Sequence, residues 1–278
     1  MAVVPFHNKV ESPPSPCFEI SARKTRESIN LLAGPAIEVV VGNDSTPPSG
    51  KRRVWWLPKN LLSHRSSFFR EACDITMGEP GQPRIELASD DPIIFAFFVE
   101  WLYYEGYTAV HPVWDESIEH AAAWVLGAKL KTPEFQDHAM GHLYRIHNDV
   151  HRPQPLTSRE VDYACANSPP GSYLRWLYFD LMSEHFSRRE RVQGPTAEWE
   201  EVLKKHSEAM TALLGRLRDG SQQKFVRGPE AYMVKKDVQS EALLENDDVQ
   251  SNADMENVDA QSDTCMENAY VRSDVSML

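Results

Sequence analysis

Three blocks within residues 37–104 decide the fold: Ile37–Gly42 (IEVVVG), Arg53–Cys73 (RVWWLPKNLLSHRSSFFREAC) and Arg84–Tyr104 (RIELASDDPIIFAFFVEWLYY). Ile37, Val39 and Val41 recur every second residue, and a β-branched run of this kind that stops at a glycine predicts a strand. Asn43–Gly50, NDSTPPSG, is a loop by composition, so Arg53–Leu57 is expected to return as the second strand of a hairpin. Pro58 suits the first turn of a helix, where its missing N–H has no partner to lose, and LLSHRSSFFREAC predicts two short helices split near Ser66. Arg84–Ala88 reads as a third strand. Asp91 and Pro92 then supply an N-cap and a first helical residue for IIFAFFVEWLYY, apolar almost all round and therefore placed in the core.

On the N-terminal side, TRESINLLAGP predicts a helix from Thr25 that Gly34 and Pro35 end, because glycine tolerates the left-handed cap and proline cannot continue. On the C-terminal side, Asp115–Leu130 and Pro133–Asn148 (Thr132 as N-cap) read as helices, with Ala121, Ala122, Ala123 and Gly127 allowing close approach to a neighbour. Two more helices are expected over 158–167 and 171–186. A single helix is expected over 196–219, on the ladder Trp199, Val202, Leu203, His206, Met210, Leu213, Leu214, Leu217. Strands embedded among many helices predict an α+β fold.

The ends differ in character. Residues 1–24 are rich in proline and serine, and disorder is expected there. The tail repeats at a period of 11: DVQSEALLEN (Asp237–Asn246), DVQSNADMEN (Asp248–Asn257), DAQSDTCMEN (Asp259–Asn268). Its recurrent apolar positions lie six apart, about 240° around a helix, and build no stripe, so a disordered acidic tail is expected over 221–278. The expected organisation is thus an N-terminal segment 1–24, a domain over 25–150, a helical extension over 151–220 and the tail.

Composition limits the function classes. The formal net charge is −12 over 278 residues. From Glu230 onward there are 12 acidic and three basic side chains, which leaves 26 basic against 29 acidic before it. A nearly neutral body with an acidic end speaks against nucleic-acid binding. The four cysteines, Cys17, Cys73, Cys165 and Cys265, form no CxxC pair, which fits a reducing, intracellular setting, cytoplasm or nucleus, without a disulfide framework. No secretory leader or membrane span is expected; the greasiest run, Pro92–Tyr104, is interrupted by Glu100 and is too short.

Chemical motifs are hinted at and fail. Gly42–Lys51 has the glycines and lysine of a phosphate loop, but the glycines stand eight apart, Arg52 replaces the magnesium-binding Ser or Thr, and two prolines remove N–H donors. On a helical wheel His138 and His142 fall on one flank and His147 and His151 on the other, so four metal ligands cannot converge, and surface histidines are expected. No G-x-S-x-G, H-E-x-x-H or G-x-G-x-x-G occurs. No catalytic, cofactor-binding or metal-binding residue is assigned, no cofactor is expected, and the chain is read as a non-enzyme. The aromatics Trp55, Trp56, Phe68, Phe69, Phe95, Phe97, Phe98, Trp101, Tyr103 and Tyr104 are assigned to core packing, with one or two left to line a peptide groove.

Four stretches taken together, LLAGPAIEVVVG (Leu31–Gly42), LPKNLLSHRSSFF (Leu57–Phe69), IELASDDPIIFAFFVEWLYY (Ile85–Tyr104) and AAAWVLGAKLKTPEFQDHAMGHL (Ala121–Leu143), resemble a BTB/POZ domain of the type abundant in filamentous fungi. SPPGSYLRWLYFDLMSEHF resembles the helical extension that follows it in such proteins. The resemblance implies a small three-stranded sheet surrounded by a helical cluster, and a protein–protein interaction role. Many BTB proteins are substrate adaptors of cullin-based ubiquitin ligases, whose contact motif is an apolar residue, any residue and Glu before the third core strand; Met77-Gly78-Glu79 matches it, so Met77 and Glu79 are the candidate cullin contacts. The implied partners are a cullin scaffold and an unknown substrate protein, without nucleic acid or membrane. The alternative is a non-catalytic dimerising scaffold or transcription-linked assembly protein. The family usually has Asp where Glu38 stands, at a dimer-interface pocket, and a His-Lys pair where Pro58-Lys59 stands.

Overall fold

The computed structural model describes residues 29–43, 52–76, 84–108, 116–219 and 225–234. Its first three strands, β1 (Ala36–Val41), β2 (Arg53–Pro58) and β3 (Arg84–Leu87), form one sheet in the order β2-β1-β3. β1 runs antiparallel to β2, with Val39 opposite Trp55, and parallel to β3, with Val39 opposite Ile85. The parallel pair requires a crossover, which β2 and two helices, α1 (Lys59–Arg65) and α2 (Ser67–Thr76), provide. Glycines set the strand's limits: Gly34 (φ 104°) precedes β1 and Gly42 (φ 80°) follows it, both in backbone regions that a β-carbon disfavours.

Ile37, Val39, Val41, Leu57, Ile85 and Leu87 are buried on the inner face of the sheet. Against them lies α3 (Pro92–Tyr104), entered as expected: the Asp91 carboxylate accepts the Ile93 N–H at 2.7 Å. Its Phe95 and Phe98 are fully buried and meet Trp55, Phe69, Trp101 and Phe135 ring to ring. Trp56, Tyr103 and Tyr104 depart from the core assignment, being 53%, 42% and 80% exposed. Trp56 has even parity in β2 and so faces away from the sheet's inner side, and the two tyrosines end α3 beyond the buried layer.

Next follow α4 (Glu116–Lys129), α5 (Pro133–Asn148), α6 (Ser158–Asn167) and α7 (Tyr173–His185), the last two flanking a close-packed core that continues without a break past residue 150. Short strands β4 (Leu156–Thr157) and β5 (Val192–Gln193) pair in parallel, which the sequence did not suggest. All of this is an α+β fold with nine helices among the described residues.

Three expectations are corrected. Pro58 ends β2 and caps α1 from outside, so the helix begins at Lys59. The expected helix over 196–219 is two, α8 (Thr196–Lys205) and α9 (Ser207–Asp219), broken at His206 (φ −120°, ψ 89°), whose imidazole bonds the Asp162 carboxylate of α6 at 2.7 Å. Leu214 and Leu217 of the apolar ladder are exposed, while Ala209 is buried. Finally, residues 225–234, which composition assigned to the tail, pack on the body: Val226 and Tyr232 are buried, and Pro229–Tyr232 forms a 3-10 turn. The remaining expectations for the tail, for residues 1–24 and for most of the Gly42–Lys51 loop lie outside the described residues.

Candidate functional site

Of the sequence-derived site residues, Met77 and Glu79 lie outside the described residues. Glu38 is half-buried on the outer face of β1, opposite Trp56, with its carboxylate 3.7 Å from the Arg84 guanidinium. Arg84 also bonds Glu86 at 2.5 Å, and Arg52 approaches Glu86 at 4.0 Å. The outer face is therefore a row of paired charges beside the exposed apolar side chains of Val54 and Trp56 on an edge strand. Edge strands with exposed apolar side chains are templates for association.

Three of the four histidines are not surface groups. His147 is fully buried, His138 and His142 are half-buried, and only His151 of the four is exposed. A helical wheel places rings by their own helix alone and carries no information on what packs over it. Tyr107, in the turn after α3, and His120 of α4 cover His138 and His142: the His120 and His142 rings stack with centroids 4.6 Å apart, and Tyr107 contacts all three.

Hydrogen bonding assigns the protons in this cluster. Arg145, which can only donate, bonds His142 Nδ1 at 2.6 Å, so the neutral His142 ring carries its proton on Nε2. That N–H points at His138 Nε2, 3.1 Å away, which accepts it. A metal shared by the two Nε2 atoms would force the His142 proton onto Nδ1, against the Arg145 donor, so this donor set fits a hydrogen-bonded relay better than a chelate. Among the described residues, no group of three or more His, Cys, Asp or Glu side chains is placed to hold a metal ion. Burial first, and then the neighbouring cations, lower His120 to about 3 and His142 to about 4, and lower His138 as well.

A second buried network has the residue types of a hydrolase triad and the wrong arrangement. Ser117 Oγ lies 3.1 Å from His147 Nε2, and Glu160 Oε1 lies 3.1 Å from the same nitrogen. His147 Nδ1 faces the Gln154 carbonyl at 3.0 Å. In a triad the acid holds the nitrogen opposite the one that faces the nucleophile, and the nucleophile opens to substrate. Here acid and hydroxyl share one nitrogen, and Ser117, His147, Glu160 and Tyr178 are all fully buried. Burial by itself raises the Glu160 carboxyl, but His147, Ser117 and the Thr157 N–H outweigh it and hold the group below the usual range. The network links α4, α5, α6 and α7, and nothing in one sequence marks four residues so far apart as neighbours.

Cys73 and Cys165 are buried and in no disulfide, and burial raises both thiols, Cys165 to about 11, which makes them poor nucleophiles. No described helix is long and apolar enough to cross a membrane. No protein-family model matches the chain, and no curated protein matches it.

Proposed function

We propose that the chain is a non-catalytic protein-recognition module of the BTB/POZ kind and works as a substrate adaptor for a cullin-based ubiquitin ligase. The observation that carries the proposal is the sheet: strand order β2-β1-β3, with β1 antiparallel to one neighbour and parallel to the other, backed by the apolar helix α3. A small three-stranded sheet among helices is what the four resembling stretches imply.

The cullin contact falls on Met77 and Glu79, which pair an adaptable apolar side chain with a charge that fixes orientation. The test is capture of the cullin N-terminal region by the full chain and by a Met77→Ala/Glu79→Ala variant. Capture by the parent that the variant loses is the expected result. Absence of capture, or equal capture by both, overturns the adaptor role.

A second function, self-association as a scaffold, is favoured by Ile29 and Leu32, which are three residues apart and 60% and 46% exposed before β1. Large apolar side chains exposed together mark association surfaces. Sedimentation equilibrium of the parent and of an Ile29→Glu/Leu32→Glu variant decides it: a dimer that becomes a monomer supports the scaffold, and a parent that is monomeric at micromolar concentration removes it.

A further inference from the structure

Residues 225–234, FVRGPEAYMV, lie along α5 and α7 and are held there in the manner of a bound peptide. At one end Glu184 of α7 accepts the N–H groups of Phe225 and Val226 at 3.1 and 2.7 Å; at the other Asp137 of α5 accepts the Val234 N–H at 2.7 Å. Between these backbone clamps the segment bends through its 3-10 turn and inserts Tyr232, which is fully buried. The phenol donates to Asp180 Oδ2 at 2.8 Å and accepts the segment's own Arg227 N–H at 3.0 Å. Arg227 Nε bonds the same carboxylate oxygen at 3.2 Å, and its guanidinium lies 5.6 Å from the Trp176 ring. Tyr144 of α5 flanks the buried ring, with centroids 6.2 Å apart.

We propose that the α5–α7 groove is a peptide-recognition groove, filled in cis by residues 225–234, and that its exchangeable ligand is a peptide able to bend through the same 3-10 turn, with arginine and tyrosine five positions apart. Clamps on backbone N–H groups are indifferent to side chains and give affinity, while one deep pocket gives selectivity, which is the division of labour in peptide grooves. Energy concentrates in a few aromatic and arginine anchors of such ligands. In this segment Val226 and Tyr232 alone are buried, and Arg227, Pro229 and Glu230 are exposed. Asp180 is itself buried and takes donors from both Tyr232 and Arg227, so a phenylalanine in place of the tyrosine leaves that oxygen poorer by one bond. The inference does not depend on the BTB assignment or on a cullin.

The test places a specific protease sequence within residues 220–224 of the full chain, cuts the folded protein, and titrates it with fluorescein-labelled FVRGPEAYMV by anisotropy. The cut protein is expected to bind the peptide saturably. The uncut protein is expected to bind at least about 100-fold more weakly, because the tethered segment competes at high effective concentration. A peptide with Tyr232→Phe, and cut protein with Asp180→Asn, are each expected to weaken binding roughly tenfold or more, as loss of a hydrogen bond to a charged group does. Circular dichroism of the cut protein, freed of the segment by gel filtration, is expected to keep the helical spectrum. The proposal is overturned if that protein unfolds, since the segment is then part of the core. Equal binding by cut and uncut protein, equal binding by the Tyr232→Phe peptide, or no binding at all also overturns it.

Discussion

His120 sits at the centre of a relay in which every ring is neutral for a structural reason. Its Nδ1 faces the Tyr107 hydroxyl at 2.8 Å, its ring stacks on His142, and Glu116 Oε1 lies 3.9 Å from its Nε2. His138, His142 and Arg145 face it from α5, and Glu116 and Glu119 share its own helix, so a proton gained by one imidazole meets a neighbouring cation at short range. The pH dependence follows from the directions of shift. An imidazole free in the unfolded chain titrates near 6.5, whereas the folded His120 and His142 titrate at about 3 and about 4. Between these values the unfolded state holds protons that the folded state lacks, so stability rises with pH; it is complete above the unfolded value and is lost as pH falls toward the folded ones. The urea midpoint is therefore expected to fall steadily from pH 6.5 to pH 5, a window above the range where Glu160 and other carboxyls titrate. One buried histidine contributes about 1.4 kcal/mol per pH unit to that slope. In a Tyr107→Phe/His120→Phe double variant, which removes the titrating ring and its hydroxyl partner together, the slope is expected to drop by about one proton. A double variant with the parent's slope would show that His120 is not the group responsible.

At the scale of elements, α4 packs along α5, and two glycines in these helices make opposite predictions. A β-carbon at Gly127 would lie 2.7 Å from Gln136 Cγ, 3.1 Å from Gln136 N and 3.2 Å from Phe135 Cδ1, whereas one at Gly141 would meet nothing within 4 Å. Alanine gains about 1 kcal/mol over glycine within a helix. At Gly141 that gain stands alone, so Gly141→Ala is expected to raise Tm. At Gly127 it is opposed by overpacking of about 1–3 kcal/mol, and the Gln136 backbone nitrogen cannot swing aside as the side chain can, so Gly127→Ala is expected to lower Tm. Thermal melts of the two variants giving the same sign would refute the packing of this helix pair. Gly127 was legible in the sequence as a small residue in an Ala-rich helix, just as Gly42 announced the end of β1 and Asp91 and Pro92 the start of α3, because backbone conformation and capping are local. The break at His206 was not legible. The apolar ladder runs straight through it, and the interruption comes from Asp162 on another helix, with Lys205 bonded to the same carboxylate at 2.7 Å. The histidine relay and the peptide groove stayed hidden for the same reason: Tyr107, His120 and Arg145, or Asp137, Asp180 and Tyr232, become neighbours only through tertiary packing. Position worked against the groove as well, since residues 225–234 run directly into an acidic repeat.

The molecule as a whole resists division at residue 150, where the resemblance to a small domain followed by an extension would place a boundary. Buried polar groups cross that line. Ser117 and His147 stand before it, and their partners Tyr178 and Glu160 stand after it, while Arg191 donates to the His147 carbonyl at 2.7 Å. Removal of everything beyond 150 strips two fully buried side chains of these partners, and each buried polar group left unsatisfied costs about 1–3 kcal/mol. The same cut exposes apolar faces of α4 and α5, because the core that contains Ala121, Ala139 and Leu143 continues into Val161, Leu174 and Leu177. Losses of this size rival the whole stability of an ordinary domain, about 5–15 kcal/mol. A fragment of residues 25–150 is therefore expected to retain helical far-UV dichroism but to lose near-UV signal, bind an apolar dye and unfold in urea without a sharp transition. A fragment of residues 25–234 is expected to unfold in one cooperative step, because it keeps both halves of the Ser117–His147–Glu160–Tyr178 network. If the shorter fragment melted as sharply as the longer one and at the same midpoint, the helices after residue 150 would be an appendage; the buried network predicts that they are half of the core.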